Sequence, residues 1–141
     1  MIEIHPLEKL DASRLRQLAS GYTTNEIYQV EYHEGQAEAV FRLTLEPLPE
    51  PKSFVFPFIE EELEGYEALI PSPFCLGAYD NGLWVGVALA EPRLWNNTLW
   101  VWEFHVAEMH RGKGIGRRLM ERLAASAEAA GLRSLICETQ N

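Results

Sequence analysis

The sequence predicts an α+β fold: a mixed sheet in which an antiparallel meander leads into a parallel β-α-β unit. Three observations predict it. Asp80-Asn81-Gly82 joins two apolar runs with residues that accept positive φ, which is a hairpin signal. Ile115, Leu119, Leu123 and Ala127 recur at four-residue spacing, and Met120 and Ala124 widen the stripe, so one side of a helix is apolar. Gly131 then supplies a C-cap. Residues 132–138 form a short apolar run that a helical crossover places parallel to the strand before the helix.

Each element can be justified in turn. Residues 2–5 predict a short first strand. Asp11 suits the N-cap of a helix that carries Leu15 and Leu18 and ends near Gly21. Residues 22–40 show no clear period. Residues 38–45 alternate as a strand does, and Pro47, Pro49 and Pro51 are expected to stop it. Glu60, Glu61, Glu62 and Glu64 predict a solvated helix or loop, with a substrate lid as the alternative. The regular part begins at Pro73. Residues 74–79 and 83–91 are the hairpin strands, 93–97 a turn, and 98–106 a third strand. Alternation puts Leu99, Val101, Glu103 and His105 on one face of that strand, and Trp100, Trp102, Phe104 and Val106 on the other. The four tryptophans are expected mainly in the core, with an acceptor-pocket lining as the alternative.

At 141 residues the chain is expected to form one domain, 1–141. It has 12 Lys and Arg against 21 Asp and Glu, a formal charge of −9, which excludes phosphate-driven nucleic-acid binding. An acidic surface would attract a cationic small molecule. No run approaches the length of a membrane helix and no signal peptide is visible, so a cytoplasmic protein without a membrane partner is expected. Cys75 and Cys137 read as buried free thiols, a covalent acetyl acceptor at Cys137 being the alternative. No cluster has metal-ligand spacing, so no metal is expected.

The stretch Arg111-Gly112-Lys113-Gly114-Ile115-Gly116 lies where the chain switches from strand to helix. Backbone N–H groups at a helix start attract phosphate. An ATP-type loop fails, because Lys113 is followed by Gly114 and no Ser or Thr is near. A dinucleotide fingerprint fits Gly112 and Gly114 but meets Arg117 at its third glycine. In its favour, Glu138 stands where a ribose-binding acid would be. A dinucleotide-binding domain and an ordinary glycine-rich turn both stay open at this point.

Three strands, then R-x-x-G-x-G on Arg111, Gly114 and Gly116, then a helix and a strand: this resembles the GNAT superfamily of N-acetyltransferases. Phe104-His105-Val106 precede the loop, and residues 73–141 carry the likeness best. Trp95-Asn96-Asn97 and Cys137-Glu138-Thr139-Gln140-Asn141 resemble the streptothricin acetyltransferase branch. The resemblance implies acetyl-CoA as cosubstrate and a primary amine of a small, cationic, antibiotic-like molecule as acceptor. It implies that Arg111, Gly112, Lys113, Gly114, Ile115, Gly116 and Arg117 hold the pyrophosphate. Backbone N–H groups around Phe104, His105 and Val106, at a strand commonly bulged in the family, would hold the pantetheine and thioester oxygen. Glu103 is the candidate general base, directly or through water, and His105 its acid-base partner.

The family normally continues past the equivalent of Asn141 with a helix and strands that supply an Asn contact and a Tyr acid. The chain is therefore expected to be C-terminally incomplete. Tyr22, Tyr28, Tyr32, Tyr66 and Tyr79 all precede the loop and match no such position. The last strand would be an exposed edge that a homodimer could cover. A catalytically impaired acyl-CoA-binding or interaction module is the alternative function.

Overall fold

The structure is a computed structural model that describes residues 1–140, so the last residue of the Cys137–Asn141 motif lies outside it. Its described residues form two compact units. The larger comprises Met1–Ser20 and Phe56–Glu138, and the smaller comprises Gly21–Val55 with Thr139 and Gln140.

In the larger unit, β1 (Ile2–Pro6) is followed by α1 (Ala12–Leu18). The Asp11 side chain accepts from the Arg14 N–H at 2.9 Å, the expected N-cap. After the smaller unit come α2 (Glu60–Ala68), β4 (Cys75–Asp80), β5 (Leu83–Arg93) and β6 (Thr98–Val106). A 3-10 turn over Glu108–His110 leads to α3 (Ile115–Ala129) and then β7 (Ser134–Cys137). The five strands form one sheet in the order β1-β4-β5-β6-β7. The first three pairings are antiparallel and β6–β7 is parallel, which bears out the meander and the β-α-β unit. Asn81 and Gly82 both have positive φ, as the hairpin requires. Among the described residues no helix is long and apolar enough to cross a membrane.

Two apolar clusters cover the sheet. Ile115, Leu119, Leu123 and Ala127 of α3 are all buried, as their spacing predicts, and cluster with Leu76, Val85, Leu99 and Val101. Leu15 and Leu18 of α1 and Leu63 of α2 cluster with Leu7, Cys75, Trp84, Val87 and Leu89. Trp84 is the buried tryptophan. Trp95 and Trp102 are exposed, so the expectation that most tryptophans are core is corrected. Trp95 sits in a turn, and Trp102 sits on a strand irregularity described below. Cys75 is buried as expected, but Cys137 is exposed, because it ends a short strand at the sheet edge.

The smaller unit corrects a second expectation. Residues 22–34, which lack a clear period, are a strand, β2 (Tyr22–Glu34), and β3 (Ala39–Phe54) runs straight through the prolines. Among the described residues they pair with each other in a two-stranded sheet. The register jumps from Pro47 opposite Glu26 to Lys52 opposite Thr24. Pro49 and Pro51 fall inside that jump, where no ladder N–H is needed, and that is where a strand tolerates proline.

Candidate active site

A bulge in β6 organises the site. Leu89 of β5 pairs with Glu103, but its neighbour Ala90 pairs with Val101, so Trp102 is an extra residue. The extra residue reverses the alternation. Leu99 and Val101 face the α3 cluster before the bulge, and Phe104 and Val106 pack against that same cluster after it. Glu103 and His105 therefore take the opposite face from Leu99 and Val101. The strict alternation expected over residues 99–106 is corrected by this one insertion.

The pairing of β6 with β7 ends beside the bulge. Their parallel pairing runs from Thr98 and Ser134 to Val101 and Cys137 and stops there. Residues 103–106 continue to pair with β5 on their other side. The Ala107 N–H donates to the Val85 carbonyl at 2.8 Å. Alternation from that bond turns the N–H groups of Phe104 and Val106 away from β5, toward the side that β7 has left. The Val106 carbonyl on that side accepts from Arg111 Nε at 3.0 Å. Arg111 thus ties the loop to the strand end.

The loop then turns through two left-handed residues, Gly112 at φ 73° and Gly114 at φ 78°. A Cβ at either would meet nothing within 4 Å, so both backbones look onto open space. Gly114 is the N-cap of α3 and offers no side chain. At this end of α3 the Arg118 N–H donates to the Gly114 carbonyl at 3.1 Å. The N–H groups of Ile115, Gly116 and Arg117 precede it and have no helical acceptor. A row of free N–H groups at a bare helix start fits a diphosphate. Lys113 is exposed within the loop. Arg117 binds Glu121 at 2.8 Å on the helix surface, and Arg118 donates to the Ile2 carbonyl at 3.0 Å. His110 Nε2 lies 3.5 Å from Asp80 at the hairpin tip, which anchors the turn before the loop.

On the face opposite α3, three polar side chains meet. His105 Nε2 and Glu103 Oε2 are 2.5 Å apart, and the Tyr66 hydroxyl donates to Glu103 Oε1 at 2.7 Å. Only 12% of the His105 side chain and 13% of the Glu103 side chain is exposed. Phe56 sets its ring edge-on to His105 at 5.2 Å, and Phe58 does the same to Tyr66 at 6.4 Å. The acidic stretch is what brings Tyr66 here. Glu62 accepts from the Ile59 N–H at 3.1 Å and three glutamates occupy the first turn, where the helix dipole favours them. Leu63 is buried, and Tyr66, three positions on, shares its face. Sequence reasoning set Tyr66 aside. Its Leu63-x-x-Tyr66 spacing was the available signal.

Burial, and then the hydrogen bond and charge of Glu103, push the Tyr66 phenol well above its ordinary value of 10.0. Folding thus favours its protonated form. That contribution is complete below the unfolded value and is lost as the pH rises through the folded one. Above about pH 10 the unfolded chain releases this proton while the folded chain keeps it. The melting temperature is expected to fall more steeply with alkaline pH in the wild type than in Tyr66→Phe. Circular dichroism melts across that range check this, and parallel curves would contradict it.

Comparison with known proteins accords with this geometry. The profile of the acetyltransferase (GNAT) family matches residues 25–141. Streptothricin acetyltransferase of Streptomyces lavendulae is 32% identical over 136 residues, covering 93% of this chain and 69% of that protein. The crystal structure of nourseothricin acetyltransferase superposes with a TM-score of 0.73 at 26% identity, covering 98% of this chain and 73% of the other. A structure described as a putative streptothricin acetyltransferase from Bacillus anthracis, in complex with acetyl coenzyme A, has the same fold. Its TM-score is 0.72 at 19% identity, covering 99% and 75% of the two chains. A bulged strand splayed from its parallel neighbour, a glycine cradle at the following helix and a match over most of the chain lead to one conclusion: the chain belongs to the GNAT acetyltransferase family.

Proposed function

We propose that this protein transfers the acetyl group of acetyl-CoA directly to a primary amine of a small cationic molecule of the antibiotic class. The observation that carries the reading is the Tyr66–Glu103–His105 cluster, whose Glu103 and His105 lie on the strand that leads into the glycine cradle. An acid-base group and an anion site are thereby held by one continuous segment, Glu103 to Arg117. The −9 charge of the chain favours approach of a cation. The relatives named for streptothricin and nourseothricin suggest which cations to try.

In this reading the bound cosubstrate supplies an activated acyl group, and the chain supplies position and proton transfer. The N–H groups of Ile115, Gly116 and Arg117 hold the pyrophosphate, with Arg111 and Lys113 adding charge. The outward N–H groups of Phe104 and Val106 align the pantetheine and donate to the thioester oxygen, where negative charge develops. Glu103 and His105 form a carboxylate–imidazole pair. With Glu103 ionised and His105 in its Nε2–H tautomer, Nδ1 is left as an acceptor for the amine proton. Tyr66 stays protonated and keeps Glu103 in one orientation. The C–N bond forms as the C–S bond breaks, the amine proton passes to the pair, and CoA departs as its thiolate, which takes a proton from solvent. A cytoplasmic site of action suits the two free thiols.

The test is release of free CoA thiol with a panel of acceptors: a streptothricin-type antibiotic, a linear polyamine and a peptide with a free N-terminus. Turnover is expected with the antibiotic and at most weakly with the peptide. Acetyl-CoA binding by calorimetry without turnover on any acceptor would replace this reading with a binding module.

A further inference from the structure

The core leaves one choice open on β6. Val101 and Phe104 both pack on the α3 side, opposite Ala90 and Ala88 of β5. Between them β6 has two residues, Trp102 and Glu103, where β5 has Leu89 alone. One of the two must be the extra residue of the bulge. Either choice leaves Val101 and Phe104 where they are, so the apolar pattern of the strand does not decide. Leu89 is fully buried in the cluster under α1 and α2. By hydrophobicity alone an indole suits that neighbour better than a carboxylate does. Its partner is nevertheless Glu103.

Trp102 is tied elsewhere. Its Nε1–H donates to Glu91 Oε2 at 3.1 Å. The guanidinium carbon of Arg93 lies 5.1 Å from the centre of its ring. Arg93 also reaches the same Glu91 oxygen at 3.5 Å, which closes a triangle. A charge-assisted hydrogen bond and a cation–π contact thus act on one indole. Trp100, opposite Glu91, adds a ring 6.0 Å away. Glu91 and Arg93 stand two and four positions beyond Leu89 on β5. Seating Trp102 opposite Leu89 would move it along the strand away from both, by up to about 3.3 Å. The indole can keep the triangle or take the place beside Leu89. If it took that place, Glu103 would become the unpaired residue and leave its position beside Tyr66 and His105.

We infer that Glu91, Arg93 and Trp102 are positioning residues for the reaction: their triangle keeps the indole out of the Leu89 place and so holds Glu103 against Tyr66 and His105. The effect on turnover rests on the acid-base role proposed for Glu103, whereas the effect on register does not. In the wild type, nuclear Overhauser contacts across the strands should join Leu89 to Glu103. In Glu91→Ala, which frees the indole but keeps it, they should join Leu89 to Trp102. Its kcat should fall about 10–100-fold, the range for a small misplacement of a reacting group. Acetyl-CoA affinity should stay within about a factor of three, because Phe104 and Val106 keep Ala88 and Gly86 opposite them in either register. Glu91→Gln still accepts from the indole and should keep the wild-type register and most of the activity. Adding Trp102→Ala to Glu91→Ala removes the competing indole and should return the register and most of kcat, a recovery that a general loss of stability would not show. Should Glu91→Ala fail to fold, Trp102→Phe keeps a ring, loses the donor and gives the same readouts. Glu91→Ala with wild-type contacts at Leu89 overturns the proposal, and so does a double variant no better than the single one. A register that moves while kcat stays, with Glu103→Gln equally active, instead removes the acid-base role of Glu103 and leaves the triangle as the device that sets the register.

Discussion

Glu103→Gln is expected to lower kcat by about 10²–10⁴-fold, the range for losing a positioned acid-base group. The substitution keeps the shape of the side chain. Its amide oxygen can still accept from Tyr66, which now bonds Glu103 Oε1 at 2.7 Å. What disappears is the carboxylate facing His105 Nε2 at 2.5 Å. An amide can neither hold the amine proton nor stabilise a protonated imidazole. The cradle is untouched, because Glu103 faces away from the α3 side where Phe104 and Val106 pack. Acetyl-CoA affinity should therefore stay within a factor of two while turnover collapses. Steady-state rates with the preferred amine and calorimetric titration with acetyl-CoA separate the two quantities. A kcat within threefold of wild type removes Glu103 from the chemistry.

Gly114→Val is expected to weaken acetyl-CoA binding by about 10–100-fold, or roughly 1.4–2.7 kcal/mol. Gly114 has φ 78° and ψ 5° at the N-cap of α3. A β-branched residue is a strong outlier there, and the left-handed region costs L-residues about 1–2 kcal/mol even without branching. Two responses are open to the chain. It can hold the loop and place a side chain in the open space before the free N–H groups, or it can relax the loop and disperse them. Both remove the anion site. Gly116 provides the comparison. A Cβ there meets Phe104 Cε1 at 3.5 Å and Val106 Cγ2 at 3.8 Å, ordinary contact distances. Gly116→Ala should therefore melt near the wild type, whereas Gly114→Val melts several degrees lower. Equal acetyl-CoA affinity in Gly114→Val and wild type would falsify the cradle assignment.

Local chemistry made much of the larger unit legible. Asn81-Gly82 can take positive φ at no great cost, so the hairpin was readable from two letters. The four-residue recurrence of Ile115, Leu119, Leu123 and Ala127 named the buried face of α3 in full. The turn before α3 was equally readable, because Gly112 and Gly114 take positive φ without strain. Three features were not. Proline is a strand breaker only where its N–H is needed, and whether it is needed at Pro49 and Pro51 depends on the partner strand. The side of β6 that Glu103 occupies depends on the bulge at Trp102, which exists only against β5. Tyr66 reaches Glu103 from 37 residues away, through a helix whose own composition reads as solvent-exposed.

The sequence by itself determined the meander, the crossover, the buried stripe of α3 and the glycine-rich turn before it, because each depends on backbone propensities or periodicity within about fifteen residues. Tertiary structure alone decided where Glu103 points, which tyrosine bonds it, and that residues 22–54 form a two-stranded ribbon. Those depend on register between strands. A slip or insertion of one residue there exchanges the faces of everything downstream, at no visible change in local composition.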